Sequence, residues 1–165
     1  MLAIAAVATP RFAVAEPTST GWVLTNARGG KAISGGGYRL FNVYNKQHLV
    51  VRPGKTPSVD ASPTAPYDVE LVTARGGELL CGEPFALRVA GYNLVLDPKS
   101  GAVVPTADRK AEEWKLLGCG RGAVTLGPSL ALVNVKRGDA WVGCKRHGAT
   151  TYCWDEKQLM GIATE

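Results

Sequence analysis

Three weak copies of one pattern run through the sequence, and this repetition restricts the fold more than any single residue does. Leu80-Cys81-Gly82-Glu83-Pro84-Phe85-Ala86-Leu87 returns, altered, as Gly118-Cys119-Gly120-Arg121-Gly122-Ala123-Val124. A cysteine-free version stands earlier as Ile33-Ser34-Gly35-Gly36-Gly37-Tyr38-Arg39-Leu40. After each comes another short apolar run: His48-Leu49-Val50-Val51, Asn93-Leu94-Val95-Leu96 and Leu130-Ala131-Leu132-Val133. The copies start near residues 33, 80 and 118, 38 to 47 residues apart. Units of this length bury their apolar faces only against one another. Strand-sized runs without helices between them therefore predict one all-β fold with threefold pseudo-symmetry.

The patterning between the copies agrees. Gly21-Trp22-Val23-Leu24-Thr25 is a first strand, and Tyr38 to Tyr44 alternates as a half-buried strand does. Further strands are predicted at 49–51, 68–72, 85–89, 94–96, 102–104, 114–117, 123–126, 130–135, 140–142 and 158–160. Residues 53–66 hold four prolines and no periodicity, which predicts a surface loop. Ala107 to Glu113 is the one helix-like patch. Many short strands with regular turn signals predict a closed barrel of about four strands per copy, capped by hairpins, because closure removes exposed edges.

With 165 residues, 45% of them hydrophobic and 20% charged, the chain is long enough for one domain with a real core. Its N-terminus reads differently from the rest. Leu2-Ala3-Ile4-Ala5-Ala6-Val7-Ala8 is apolar, and Ala13-Val14-Ala15 before Glu16-Pro17 has the small residues of a signal cleavage site. Residues 1–15 are thus expected to be a signal-peptide remnant, and 16–165 a single secreted domain. No run reaches the ~18 apolar residues of a membrane span. The formal charge of +5 comes from Lys and Arg spread along the chain, which favours solubility rather than nucleic-acid binding.

Four cysteines in a secreted chain imply two disulfides. Cys144 and Cys153 flank a turn-like stretch and are expected to close a local hairpin. That leaves Cys81 for Cys119, at matching points of successive copies. No Cys-x-x-Cys pair exists, so thiolate metal binding is not expected.

Little in the chain carries reaction chemistry. His48 and His147 have no metal-ligand spacing and are expected in loops or at edges. No nucleophile elbow, zinc-protease motif or phosphate-binding glycine pattern occurs. Asp97, Asp108, Glu112 and Glu113 are expected to be solvated. An enzyme is therefore not predicted, and neither a cofactor nor a metal site is. Trp22, Trp114, Trp141 and Trp154 are read as core rather than as stacking platforms, with Trp114 standing where Val69 stands in the preceding copy. Lys136, Arg137, Lys145 and Arg146 around Trp141 are read as a solvated face.

The segment Gly82-Glu83-Pro84-Phe85-Ala86-Leu87-Arg88 stands out. A Gly and a Pro stiffen it, and a disulfide at Cys81 would anchor its start. A rigid, preorganised loop binds an enzyme cleft at low entropic cost.

Leu24-x-Asn26-x-x-Gly29, Gly35-Gly36-x-Tyr38-x-Leu40 and Tyr67-Asp68-Val69-Glu70-Leu71-Val72 then form a familiar order with Pro84 to Val89, Glu113-Trp114-Lys115-Leu116 and Gly122 to Pro128. Together they resemble the soybean-trypsin-inhibitor (Kunitz-type) β-trefoil family over residues 22 to about 160. Cys144 and Cys153 have the spacing of that family's C-terminal disulfide. The resemblance implies a monomeric β-trefoil that blocks serine proteases through the loop after its fourth strand. It places that reactive loop at residues 82–88, with Ala86 at the attacked bond, a preference for small residues, and Ser34 where the family has a loop-bracing Asn. Two other readings remain. One is a carbohydrate-binding, ricin-like trefoil, loosely fitted by Tyr38-Arg39-Leu40-x-Asn42 and Asn93. The other is a trefoil that only docks on a partner protein.

Overall fold

Alternation of apolar and polar residues turns one face of each strand inward. In the computed structural model the described residues are 21–43, 46–99, 102–107, 112–138, 140–141, 144–147 and 150–153. The protein is all-β, with twelve strands and no helix among the described residues. The first half holds β1 (Gly21–Thr25), β2 (Arg39–Asn42), β3 (Gln47–Arg52), β4 (Ser58–Ser62), β5 (Val69–Val72) and β6 (Ala86–Val89). The second holds β7 (Tyr92–Leu96), β8 (Val103–Thr106), β9 (Trp114–Leu117), β10 (Ser129–Asn134), β11 (Cys144–His147) and β12 (Thr150–Cys153). They form antiparallel sheets in the orders β4-β3-β2-β1-β10-β9, β5-β6-β7-β8 and β11-β12.

The expected closed barrel is not one continuous sheet among the described residues. The two larger sheets meet at single bridges, Tyr38 with Val69 and Phe85 with Trp114. Each bridge directly follows a corner, Gly35–Gly37 in one case and Gly82–Pro84 in the other. Glycine turns the chain at both corners, and at the second Pro84 has no N–H to donate, so the ladder is interrupted there and resumes only as the Gly35 to Leu71 and Gly82 to Leu116 hydrogen bonds.

Threefold pseudo-symmetry is visible in three cycles of backbone hydrogen bonds. The N–H of Ala32 donates to the carbonyl of Val124, that of Leu79 to Ala32, and that of Val124 to Leu79, each at 2.9 Å. One position pair further along, Ser34 donates to Gly77, Cys81 to Gly122 and Leu126 to Gly30, at 2.7–2.8 Å. Gly35, Gly82 and Gly127 donate to Leu71, Leu116 and Leu24. Equivalent residues are therefore 47 (79 minus 32) and 45 (124 minus 79) apart. The counterpart of Ile33 and Leu80 is Thr125, so the third copy does not start at residue 118. Cys119 consequently does not match Cys81, whose counterpart is Leu126. The same bridges do pair Trp114 with Val69 as equivalents.

The core gathers on the axis of these cycles. Ala32, Leu79 and Val124 close one end, and Leu24, Leu71 and Leu116 lie beneath, all buried. Trp22 stacks on Trp141 at 5.4 Å, and Trp114 tilts against Trp141 at 5.3 Å. The indole N–H of Trp22 donates to the Trp141 carbonyl and that of Trp114 to the Leu94 carbonyl. These three tryptophans are interior, and Trp154 lies outside the described residues.

Several local expectations change. The 53–66 segment contains β4, held to β3 in register from His48–Ser62 to Arg52–Ser58. Its Asp60 is buried against the Arg52 guanidinium. Residues 123–126 make only isolated bridges. His48 sits within β3, between β2 and β4, edge-on to Phe41 at 5.1 Å. Glu113 is buried rather than solvated: Oε2 accepts from the Leu96 N–H at 2.6 Å, and Oε1 pairs with Lys136 Nζ at 3.1 Å. Residues 1–15, 108–111 and 158–160 lie outside the described residues.

Candidate functional site

The segment 82–88 does not project. Phe85, Ala86 and Leu87 are 2%, 0% and 0% exposed, and β6 begins at Ala86. The Gly82 N–H donates to Leu116, and Phe85 exchanges hydrogen bonds with Trp114. Glu83 turns back to take the Arg75 guanidinium in a two-point contact, at 3.0 and 2.9 Å. That contact, together with the Leu80 N–H, holds the Glu83 carboxyl below its ordinary 4.5. Arg88 pairs with Glu70 at 3.3 Å and donates to the Gly91 carbonyl. Only Pro84 is exposed. The physical reason is the repeat itself. Residues 82–88 are the counterpart of 35–41 and 127–133, a corner followed by an inner strand that every copy needs. Ser34 braces something else, since its hydroxyl accepts from the Thr73 N–H at 2.9 Å.

The connection after the fourth strand is Pro63-Thr64-Ala65-Pro66-Tyr67-Asp68, between β4 and β5. Pro63, Thr64, Pro66 and Tyr67 are exposed, with Tyr67 at 43%. Two prolines fix φ at two of the six positions. The loop is also gripped from below. Ala65 is buried, and the Thr64 N–H donates to the Ser62 hydroxyl at 3.2 Å. The Arg39 guanidinium lies over the Tyr67 ring, 4.2 Å from its centroid. A Cβ on Gly37 would come within 2.9 Å of the Tyr67 carbonyl oxygen, so only glycine lets the two backbones approach this closely. At the exit, Tyr38 and Val69 exchange hydrogen bonds at 2.8 and 3.0 Å, and Ala90 donates to the Asp68 carbonyl. Partial burial raises the Asp68 carboxyl, opposed by its own backbone N–H. The result is a short exposed loop pinned at its start to the end of β4, with its exit and aromatic side chain held by other elements.

The remaining candidates fall as follows. Cys81 and Cys119 form a disulfide. Cys144 and Cys153 stand opposite each other in the β11–β12 register, and their side chains lie outside the described residues, as do those of Lys145, Arg146 and His147. Lys136 is committed to Glu113. Tyr38, Asn42 and Asn93 are buried, and the Tyr38 hydroxyl accepts from the Ile33 N–H, so none of the three faces a sugar. A shallow cleft of about 400 Å³ between Lys55–Val59 and Val103–Pro105 holds one charged group, Lys55, and no acid–base pair.

No family model, no curated protein and no solved structure matches the chain. The loop at 63–68 was hidden in sequence inside one long proline-rich stretch. Two signals in that stretch pointed to it: a Pro at each end of Pro63-Thr64-Ala65-Pro66, and the strongly alternating Val69-Glu70-Leu71-Val72 directly after.

Proposed function

We propose that the fold is a β-trefoil and that the protein is a secreted inhibitor of a serine protease, acting through Pro63–Asp68 rather than through residues 82–88. The observation that carries this reading is the clamped, exposed loop between β4 and β5, with Tyr67 held under Arg39. An inhibitor of this kind must offer its backbone to the enzyme in one conformation. The entropy of ordering is then lost at folding and not at binding. The Kunitz-type resemblance, read from sequence, places the inhibitory loop at residues 82–88; its coarser expectation, a loop after the fourth strand, falls on 63–68, because the fourth strand is β4. The three hydrogen-bond cycles support the trefoil. The Cys81–Cys119 disulfide suits an oxidising, secretory compartment.

The test is a titration of the purified protein against trypsin, chymotrypsin, elastase and subtilisin. At least one enzyme is expected to be inhibited by the wild type at or below about 10 micromolar. Pro66→Gly with Tyr67→Ala should weaken that inhibition by about tenfold or more, a loss of about 1.4 kcal/mol. Pro84→Ala should leave it unchanged. Mass spectrometry of the slowly cleaved complex should find the cut between residues 63 and 68. Absence of inhibition of all four enzymes, or a cut between 82 and 88, overturns the reading.

A further inference from the structure

The best-defined surface away from the 63–68 loop is the end of the molecule built by three equivalent turns. Asn26 to Gly30, Thr73 to Gly77 and Gly118 to Gly122 each follow one strand of a symmetric set, β1, β5 and β9. The carbonyls of Gly30, Gly77 and Gly122 accept from Leu126, Ser34 and Cys81, so each turn is stitched to another copy. Each turn carries one arginine: Arg28, Arg75 and Arg121. Side-chain caps stiffen two of them. The Asn26 carboxamide oxygen accepts from Arg28 and Gly29, and the Thr73 hydroxyl from Gly76. The disulfide from Cys119 ties down the third.

Charge and apolar surface meet on this end. Lys31 pairs with Glu78 at 3.4 Å and Arg75 with Glu83 at 2.9 Å. Arg28 and Arg121 are exposed, and neither has an acidic partner among the described residues. Ala32, Leu79 and Val124 point into the core, so alternation sends their neighbours outward. Ile33 and Leu80 are accordingly 42% and 41% exposed, each directly following a member of the Ala32–Leu79–Val124 cycle.

We propose that this end is a docking surface for a protein segment of complementary chemistry: carboxylates flanking a pair of aliphatic side chains. Guanidinium groups bind carboxylates in planar two-point contacts, and those of Arg28 and Arg121 meet no carboxylate among the described residues. The aliphatic pair decides between protein and polyanionic glycan. A sulfated chain would satisfy the arginines but leave Ile33 and Leu80 in water, whereas a peptide can cover them. β5, about 13 Å long at ~3.3 Å per strand residue, separates the Thr73 turn from the 63–68 loop. The inference does not rest on the inhibitor reading.

The experiment is fluorescence anisotropy with a labelled peptide of sequence DELLED, its DESSED counterpart, and a heparin hexasaccharide as competitor. The DELLED probe should bind in the micromolar range, and its binding should weaken as salt rises. Arg28→Ala with Arg121→Ala should weaken it about tenfold or more, and Leu80→Ser by a smaller factor. Lys99→Ala, a charge change on an exposed turn elsewhere, should leave it unchanged. All these positions are exposed, so unchanged thermal unfolding of each variant will verify that the fold is intact. The proposal is overturned if DELLED fails to bind at about 1 millimolar. It is equally overturned if the double arginine variant binds as well as wild type, if DESSED binds as tightly as DELLED, or if heparin binds while DELLED does not.

Discussion

Removing the Cys81–Cys119 disulfide tests both the symmetry and its one defect. In two copies a polar side chain caps the turn, Asn26 in one and Thr73 in the next. The equivalent position in the third is Gly118, which has no side chain, and its turn has positive φ at Gly118, Gly120 and Gly122. This is the turn with the most backbone freedom to lose, and it is the one the disulfide anchors. The link closes 38 residues of chain. Loop-closure entropy for that length is about 13 cal/mol/K, or about 4 kcal/mol at 25 °C. For a chain of this size that corresponds to a fall in Tm of about 8–16 °C. The assay is urea and thermal unfolding of Cys81→Ser with Cys119→Ser, beside the wild type with and without reductant. The double variant should lose about this much stability, the reduced wild type at least as much because reductant also opens any Cys144–Cys153 link, and amide exchange in the variant should accelerate first in 118–122. A loss below about 1 kcal/mol, or faster exchange elsewhere with this turn unaffected, would refute the argument that the crosslink replaces the missing cap.

Three further outcomes follow from particular contacts. Leu79→Ala, at the buried closure of the axis, should cost about 2–5 kcal/mol in urea unfolding, and a cost under about 1 would show that the site collapses freely. Gly37→Ala forces a Cβ against the Tyr67 carbonyl, so it should weaken protease inhibition more than it lowers Tm, as seen by comparing inhibition constants with melting curves. The Glu83 carboxyl is held below 4.5, first by its hydrogen bond from Arg75, so the contact stabilises the fold above that pH and fades as pH falls through the lowered value. The difference between melting curves of wild type and Glu83→Gln should therefore be full at pH 6 and shrink as pH is taken progressively below 4.5, whereas a difference that stays constant on acidification would contradict the assignment.

How much of this was legible depended on where the signal lay. Strands with strong alternation, such as Val69-Glu70-Leu71-Val72 and Trp114-Lys115-Leu116-Leu117, declared themselves because their inner residues are large. β4 did not, because Ser58-Val59-Asp60-Ala61-Ser62 is small and polar and becomes a strand only by pairing with β3. The third copy was misregistered by trusting cysteine. A cysteine is placed by its disulfide partner, which need not respect the repeat. The register-true signal is Ala-Arg-Gly-Gly at 27–30 and again at 74–77, weakened to Gly120-Arg121-Gly122 in the third copy. The expectation that residues 82–88 stand out toward solvent failed for a related reason. Gly82 and Pro84 announce stiffness, but stiffness is not exposure. The three consecutive apolar residues Phe85-Ala86-Leu87 are those of a strand covered on both faces.

Pseudo-symmetry itself then becomes a guide to function. Positions that agree across the copies, such as Leu24 with Leu71 and Leu116, or Leu40 with Leu87 and Leu132, are buried and serve the scaffold. Whatever acts on one partner must depart from the threefold pattern, because a single binding event has no use for three identical surfaces. By that criterion residues 82–88 are disqualified, since their counterparts do the same structural task. The 63–68 loop qualifies. Its grip comes from Arg39 and Gly37, and the positions equivalent to Arg39, Ala86 and Ala131, carry no cation to stack on an aromatic ring. The arginine turns qualify in a different way. Their backbones repeat, but Glu83 neutralises only Arg75, which leaves Arg28 and Arg121 as an asymmetric pair on a symmetric frame. Moving that neutralisation, with Glu83→Gln, should strengthen binding of an acidic peptide at the ring while leaving protease inhibition unaltered. If both responses changed together, the two surfaces could not be independent.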